Sequence, residues 1–413
     1  ATSSRWPGDS AHARSSSECC WDRGLFRGIR MLKLPRAAAA GVFRTAARRS
    51  SAAAAGRGRA DGGRVPLSAG WKPGSMPFKM PKMQRRRQAC DRDQAMANID
   101  GIVRSQTVAE VLVHCLKVDH FMGPVELAAA LRRIGVVGDT LEAHWTKRLD
   151  RLLRRTTESV VEESEKWSPA SLAHAVWGVA SVGVRAPALF ETVASEVFRH
   201  PGAVSARSMA QLAWAFAGVE FEAPKLFAAI AEAAPAKIQD FEPFELADLA
   251  WACAAQEIKA PQLFEAIAEQ VSKEVAKFEA QDLAKTAWAF STAGVSAPAL
   301  FEAISVQVQV DAIDAHGLAD IVWAFAKAGF QAPLLFEAVA SEASRKMATF
   351  DAQALANTVW AYATAGVAAP DLFEAIAAEA PGKMEAFSEP KLSKFTAEQL
   401  ADTAWAFATA GVP

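Results

Sequence analysis

The sequence predicts an all-α fold, an α-solenoid of two-helix repeats with a period of about 37 residues. Three markers recur in phase. Trp177, Trp214, Trp251, Trp288, Trp323, Trp360 and Trp405 are spaced 37, 37, 37, 35, 37 and 45. A Leu-Phe pair ends at Phe190, Phe227, Phe264, Phe301, Phe336 and Phe373. An Ala-Pro pair ends at Pro187, Pro224, Pro261, Pro298, Pro333 and Pro370. The long last Trp step reads as an insertion around Phe387–Lys394.

Each unit reads as helix A followed by helix B. In FDAQALANTVWAYATAG, from Phe350 to Gly366, Asp351 is the expected N-cap, whose carboxylate accepts orphan backbone N–H groups. Its equivalents are Ser168, Ser205, Glu242, Glu279, Asp314 and Thr396, and Thr396 with Gln399 fits a capping box. Phe350 and Leu355 have the spacing of a hydrophobic staple. Gly366 ends helix A, and Gly183, Gly294, Gly329 and Gly411 match it, whereas Glu220 and Glu257 stand where a glycine is expected. Helix B then starts at Pro370, where a missing N–H costs nothing. Leu372, Phe373 and Ile376 form its apolar stripe, with Glu374 and Glu379 outward.

The chain divides into three parts. Residues 1–100 carry 20 Lys/Arg against 7 Asp/Glu, and residues 168–413 carry 15 against 29, so a leader of +13 precedes a body of −14. The leader reads as disordered and basic. Met31 opens an expected start, and the Ala-, Ser- and Arg-rich run to Cys90 has the composition of an organellar transit peptide, mitochondrial before plastid. Its PKMQRRRQ cluster, within 79–92, is a basic patch or a solvated linker. Residues 101–167 carry 10 charges of each sign and read as a divergent helical N-terminal repeat or cap. Residues 168–413 read as six helix pairs plus helix A of a seventh, expected to continue beyond Pro413.

Several classes of chemistry find no support. Five cysteines in an odd set without a CxxC argue against a disulfide framework. His114, Cys115, His120 and His144 match no metal spacing. No phosphate-binding loop, nucleophile elbow or kinase signature occurs. A non-enzyme is expected, with no cofactor, metal or small-molecule substrate. The apolar run 352–370 is an amphipathic repeat rather than a membrane span.

The helix A core in FDAQALANTVWAYATAG and FEAQDLAKTAWAFSTAG resembles the octotricopeptide repeats of algal organellar proteins. It also resembles the helical repeats of the FAST kinase-domain family, often associated with a RAP domain. The resemblance covers residues 168–413. It implies an α-solenoid that binds single-stranded organellar RNA and acts in its processing, stability or translation.

A wheel on helix A, numbered from the Trp, assigns Leu at −5, Ala or Val at −1, the Trp and position +2 to one apolar face, and position −3 to the opposite side. Position −3 holds His174, Gln211, Asp248, Lys285, Asp320, Asn357 and Asp402: all polar, all different in hydrogen-bonding chemistry from most neighbours in the series. Position +4 lies on the same stripe and includes Lys327 and Thr364. Position +1 is always Ala or Gly, as in Ala361 and Gly178, which would let a flat partner approach. One variable polar site per repeat is what base-by-base RNA reading requires. A solvated helix face gives the same pattern. The Trp and Phe residues are read as core, and Tyr362 is the one tyrosine.

Two main functions follow. The first is an organellar RNA-binding protein, in the mitochondrial matrix or alternatively the plastid stroma, with a positive concave groove. Lys285, Lys327 and the Arg-rich segment Arg132–Arg155 would supply its positive potential. The second is a non-catalytic protein scaffold in a ribonucleoprotein or ribosome-assembly complex, which suits the acidic body. A catalytic domain beyond Pro413 is a third.

Overall fold

A computed structural model describes residues 94–118, 122–138, 145–199, 203–385 and 397–410. For 382–385, 397–400, 402 and 410 the backbone alone is described. The leader to residue 93 with its transit-peptide and PKMQRRRQ readings, His120, His144, the insertion and the Thr396 cap lie outside the described residues; residues 94–100, which the sequence assigns to the disordered leader, are instead helical, with Asn98 and Ile99 buried.

The described residues form helices and no strands. In chain order they are α1 (94–104), α2 (Val108–Lys117), α3 (Pro124–Val137), α4 (Thr146–Glu162), α5 (Pro169–Ser181) and α6 (Pro187–Arg199). Next come α7 (Ala206–Gly218), α8 (Pro224–Ala233), α9 (Pro243–Ala255), α10 (Pro261–Glu274), α11 (Ala280–Ala293) and α12 (Pro298–Gln307). The last are α13 (Ala315–Ala328), α14 (Pro333–Lys346), α15 (Ala352–Ala365), α16 (Pro370–Glu385) and α17 (Ala397–Ala410). Odd helices from α3 onward are A helices and stack on one another in sequence. Even helices from α4 are B helices and stack as a second, looser row. This is an α-solenoid.

The local signals operate as the chemistry requires. Ser168, Ser205, Asp314 and Asp351 each accept a backbone N–H three residues on. At α9 the carboxylate of Glu245 accepts the N–H of Glu242 at 3.1 Å, the reciprocal half of a capping box. Gly294, Gly329 and Gly366 close their A helices with φ near 68°. Glu220 and Glu257 hold the same left-handed turn at φ 55° and 53°, although neither is glycine.

The core runs without interruption through the stack. Its repeating tie is an edge-on aromatic contact between helix B of one repeat and position +2 of the next helix A. Phe190 meets Phe216 at 4.9 Å, Phe264 meets Phe290 at 5.1 Å, Phe301 meets Phe325 at 5.0 Å and Phe336 meets Tyr362 at 5.1 Å. Tyr362 is fully buried, and its hydroxyl donates to the Phe336 carbonyl at 2.6 Å. It is a core residue, unavailable for base stacking. Cys253 takes the same +2 place in α9, and burial pushes its thiol up to about 12.

Helix α3 is the A helix of a divergent pair with α4. Counting from its N-cap Gly123, Arg132 stands at the Trp position and Leu127 at the repeat's leucine position, five residues earlier. Its contact with α5 is close because two glycines meet. A Cβ on Gly178 would lie 2.0 Å from the Leu131 carbonyl oxygen, and one on Gly135 2.7 Å from Gly178 Cα.

Candidate nucleic-acid interface

An A helix has neighbours on both sides and B helices behind it, so one narrow face is left. At 100° per residue, position −3 falls about 60° from the Trp, +4 about 40° and −7 about 20°. The Leu at −5 and the residue at +2 fall about 140° to 160° away from the Trp on the other side. The expectation that −3 lies opposite the Trp is therefore corrected: Trp, −3, +4 and −7 share one face, and −5, −1 and +2 face the core.

Burial agrees with this assignment. Leu283, Ala287 and Phe290 in α11 are fully buried, as are their equivalents in α5, α7, α9, α13 and α15. Trp214 and Trp288 are buried, Trp177, Trp251, Trp323 and Trp360 are half-buried, and Trp405 is 49% exposed. The tryptophans thus stand at the edge of the core, Trp214 and Trp288 within it as the sequence predicts and the other five partly open on the free face. They form a ladder, with ring centroids 6.2 Å apart for Trp177–Trp214, 6.4 Å for Trp288–Trp323 and 6.1 Å for Trp323–Trp360. Lys327 Nζ sits 4.3 Å above the Trp323 ring, a cation–π contact between positions 0 and +4.

The small residue at +1 has a different role from the one expected. Ala215, Ala252, Ala289, Ala324 and Ala361 are completely buried between A helices. They admit the next A helix, as Gly178 admits α3, and offer nothing to an outside partner.

The polar −3 row is less open than a solvated face. His174, Lys285 and Asn357 are buried, and Gln211, Asp248 and Asp320 are half-buried. Lys285 Nζ donates to Asp248 Oδ1 at 2.7 Å and lies 3.6 Å from Asp282, which joins two successive repeats. Gln353 donates to Asn357 Oδ1 at 2.7 Å. Burial, then Arg132 and Arg207, lower His174 to about 3, so its ring is neutral at physiological pH. Burial, then Asp314 and Asp351, raise the Asp320 carboxyl to about 7. Burial raises Glu245 to about 7 and Asp282 to about 6, the latter against the pull of Lys285. Lys327 and Thr364 are exposed. The side chain of Asp402 is outside the described residues.

Two features had no counterpart in the sequence pattern. Position −7 reaches the N-cap of the next repeat: Gln281 Nε2 donates to Asp314 Oδ1 at 3.1 Å, and His316 Nε2 lies 3.4 Å from Asp351. The signal was a His or Gln seven residues before the Trp with an acid at the following cap. Secondly, Gln211 Oε1, Trp288 Nε1 and Thr292 Oγ1 have no hydrogen-bond partner, and all three lie on the free face at −3, 0 and +4. No group of three metal-binding side chains occurs among the described residues, and no described helix is long and apolar enough to cross a membrane.

A two-helix repeat with this ladder has a family counterpart. The model of the RNA-editing substrate-binding complex 6 protein family matches residues 146–332 and, in a second alignment, 186–398. The chain belongs to that family. The second match starts 40 residues after the first, about one repeat later. The family match spans α4 to α16 and so contains the tryptophan ladder from Trp177 to Trp360. This is an RNA-associated helical-repeat family. No curated protein matches the chain.

Proposed function

We propose that the protein is a non-enzymatic, RNA-binding helical-repeat component of an organellar RNA-processing complex, acting in RNA processing, stability or translation. The free face of the A helices is its RNA surface. One observation carries the reading: from α5 to α17 each A helix has a tryptophan at the same position, half-buried or exposed in five of the seven, beside a variable polar row. Aromatic faces stack bases of any identity, and the polar row contacts their edges. The family's association with RNA-editing substrate binding supports an RNA-related role. The octotricopeptide and FAST kinase-domain kinship is part of this proposal, as is a mitochondrial matrix location, with the plastid stroma as alternative.

Within the row, the residues differ in what they offer. Lys327 and Thr364 reach solvent. Gln211 Oε1 has no partner but is buried, and Asp248 and Lys285 already satisfy each other. Cross-linking the tagged protein in cells and sequencing the bound RNA tests the reading. A defined set of organellar transcripts is the expected result. No RNA above background, with a fixed set of co-purifying proteins, would replace it by the scaffold reading, which the internal Asp248–Lys285 pair and the acidic body favour.

A further inference from the structure

The B row changes sign once. Exposed Glu191, Glu265, Glu302, Glu337 and Glu374 mark the solvent side of α6, α10, α12, α14 and α16. Helix α4 is the reverse over its first half, before the exposed Glu158 and Glu162. From Lys147 to Arg155 it carries Lys147, Arg148, Arg151, Arg154 and Arg155 against Asp150 alone, a net of +4 over nine residues. The spacing gathers the cations on one face. Leu149, Leu152, Leu153, Thr156 and Val160 turn inward, and Lys147, Arg148, Arg151 and Arg154 are exposed.

An aromatic ring stands at the head of this stripe. Trp145, the N-cap of α4, is half-buried, and Arg148 lies 4.4 Å from its ring centroid. Trp145 also lines a cleft with Arg104, His114 and Lys117, of which Arg104 pairs with Asp100 at 2.7 Å. The one acid in that cleft, Glu110, accepts the N–H of Gln106 at 2.7 Å and caps α2. His114 Nε2 has no hydrogen-bond partner, and its ring lies so close over Gly101 that a Cβ there would be 2.1 Å from it. Cations along a helix, leading to a ring flanked by further cations, form the pattern that holds a single-stranded phosphate backbone and stacks a base.

We propose that the exposed face of α4, with the Trp145 cleft, docks the sugar-phosphate backbone of single-stranded RNA without reading its sequence. The inference rests on the RNA-binding reading but uses none of the inner-face residues. It also resolves an electrostatic difficulty. A body of −14 cannot attract RNA uniformly, so phosphate attraction must be localised, and α4 is the B helix where it concentrates.

The test is binding of a labelled oligouridylate to the full chain at several salt concentrations. The wild type is compared with a variant carrying Lys147→Gln, Arg148→Gln, Arg151→Gln and Arg154→Gln, and with Trp323→Leu on the inner face. All four α4 residues are exposed, and circular dichroism verifies that the variant folds. The expected result is an affinity loss of at least about tenfold in the α4 variant, with the salt slope reduced by about 0.7 for each phosphate that is no longer neutralised. Trp323→Leu should weaken binding at unchanged slope. Unchanged affinity and slope in the α4 variant overturn the proposal, and a loss in Trp323→Leu alone then leaves the inner-face reading standing. No binding by the wild type overturns both. Equal affinity of the wild type for a polyglutamate peptide or anionic vesicles overturns RNA as the ligand of α4.

Discussion

Lys285 Nζ lies 2.7 Å from Asp248 Oδ1, although the two residues are 37 positions apart and occupy the same −3 place in successive repeats. With Asp282 at 3.6 Å, the lysine holds two carboxylates at the seam between α9 and α11. Removing the lysine leaves both acids uncompensated. Lys285→Met is expected to destabilise by about 3 kcal/mol, whereas adding Asp248→Leu is expected to recover only part of that loss, because Asp282 stays buried without its partner. Urea denaturation of both variants checks this. Equal losses in the single and double variants would show that the pair contributes packing and not charge compensation.

The free face carries a pH dependence with a defined sign. Asp320 in the folded chain titrates at about 7, above its ordinary value, because burial and then Asp314 and Asp351 disfavour its charge. A raised carboxyl pKa means the folded state binds the proton more tightly than the unfolded state. Its stabilisation is complete below the unfolded pKa and is lost as pH rises through the folded pKa. Asp320→Asn should therefore be nearly neutral at acidic pH and stabilising above neutrality. Thermal denaturation of wild type and variant across that range reads the difference. A constant offset at all pH values would contradict it.

The repeat was legible because its markers are steric necessities. Pro at the repeat's Ala-Pro marker fits the first turn of helix B, glycine relieves a left-handed turn, and the Leu-Phe pair must face the core. The function of each A-helix face was less legible. Tryptophan is apolar by composition, so the sequence assigns it to the core, yet Trp323 and Trp360 border solvent while Tyr362 and Phe325 are buried. Only position relative to the Leu at −5 separates these roles. The Asp248–Lys285 bridge was hidden for another reason: partners 37 residues apart meet through stacking, which no local pattern encodes. The same holds for Gln281 on Asp314.

Glu220 and Glu257 occupy left-handed turns where four sister repeats use glycine. A side chain in that conformation strains against its own backbone by about 1 to 2 kcal/mol. Glycine relieves the strain but adds freedom to the unfolded chain, so Glu220→Gly and Glu257→Gly should each stabilise by somewhat less, about 0.5–1 kcal/mol. Glu220 also lies 3.8 Å from Arg185 in an exposed pair of little weight. Denaturation midpoints of the two variants decide the matter, and a loss of stability would mean that the carboxylates make an interaction more valuable than the strain they carry.

The α3–α5 contact depends on an absent side chain. Gly178→Ala would bring Cβ to 2.0 Å from a backbone oxygen, which no rotamer change can relieve. Helix α3 must move, so a loss of about 1–3 kcal/mol or more is expected, localised at the α3–α5 junction. Limited proteolysis followed by mass spectrometry should show new cleavage before α5 and an intact α7–α16 core. Unchanged proteolysis would mean that the helices separate without cost.

Trp323 is the best-placed base platform, because it stacks in the ladder with Trp288 and Trp360 and carries Lys327 over its ring. Base–aromatic stacking contributes about 1–3 kcal/mol per base. Trp323→Leu keeps an apolar residue at the half-buried position, so binding should weaken by about 1–3 kcal/mol while the fold survives. Lys327→Ala removes a cation that either bridges to phosphate or occupies the ring face. If it touches phosphate, affinity falls and the salt slope shrinks by about 0.7. If it blocks the ring, affinity rises and the slope stays. Anisotropy titrations with homopolymeric RNA separate these outcomes. Full affinity in Trp323→Leu would remove the ladder from the RNA surface and leave the inner face to a protein partner.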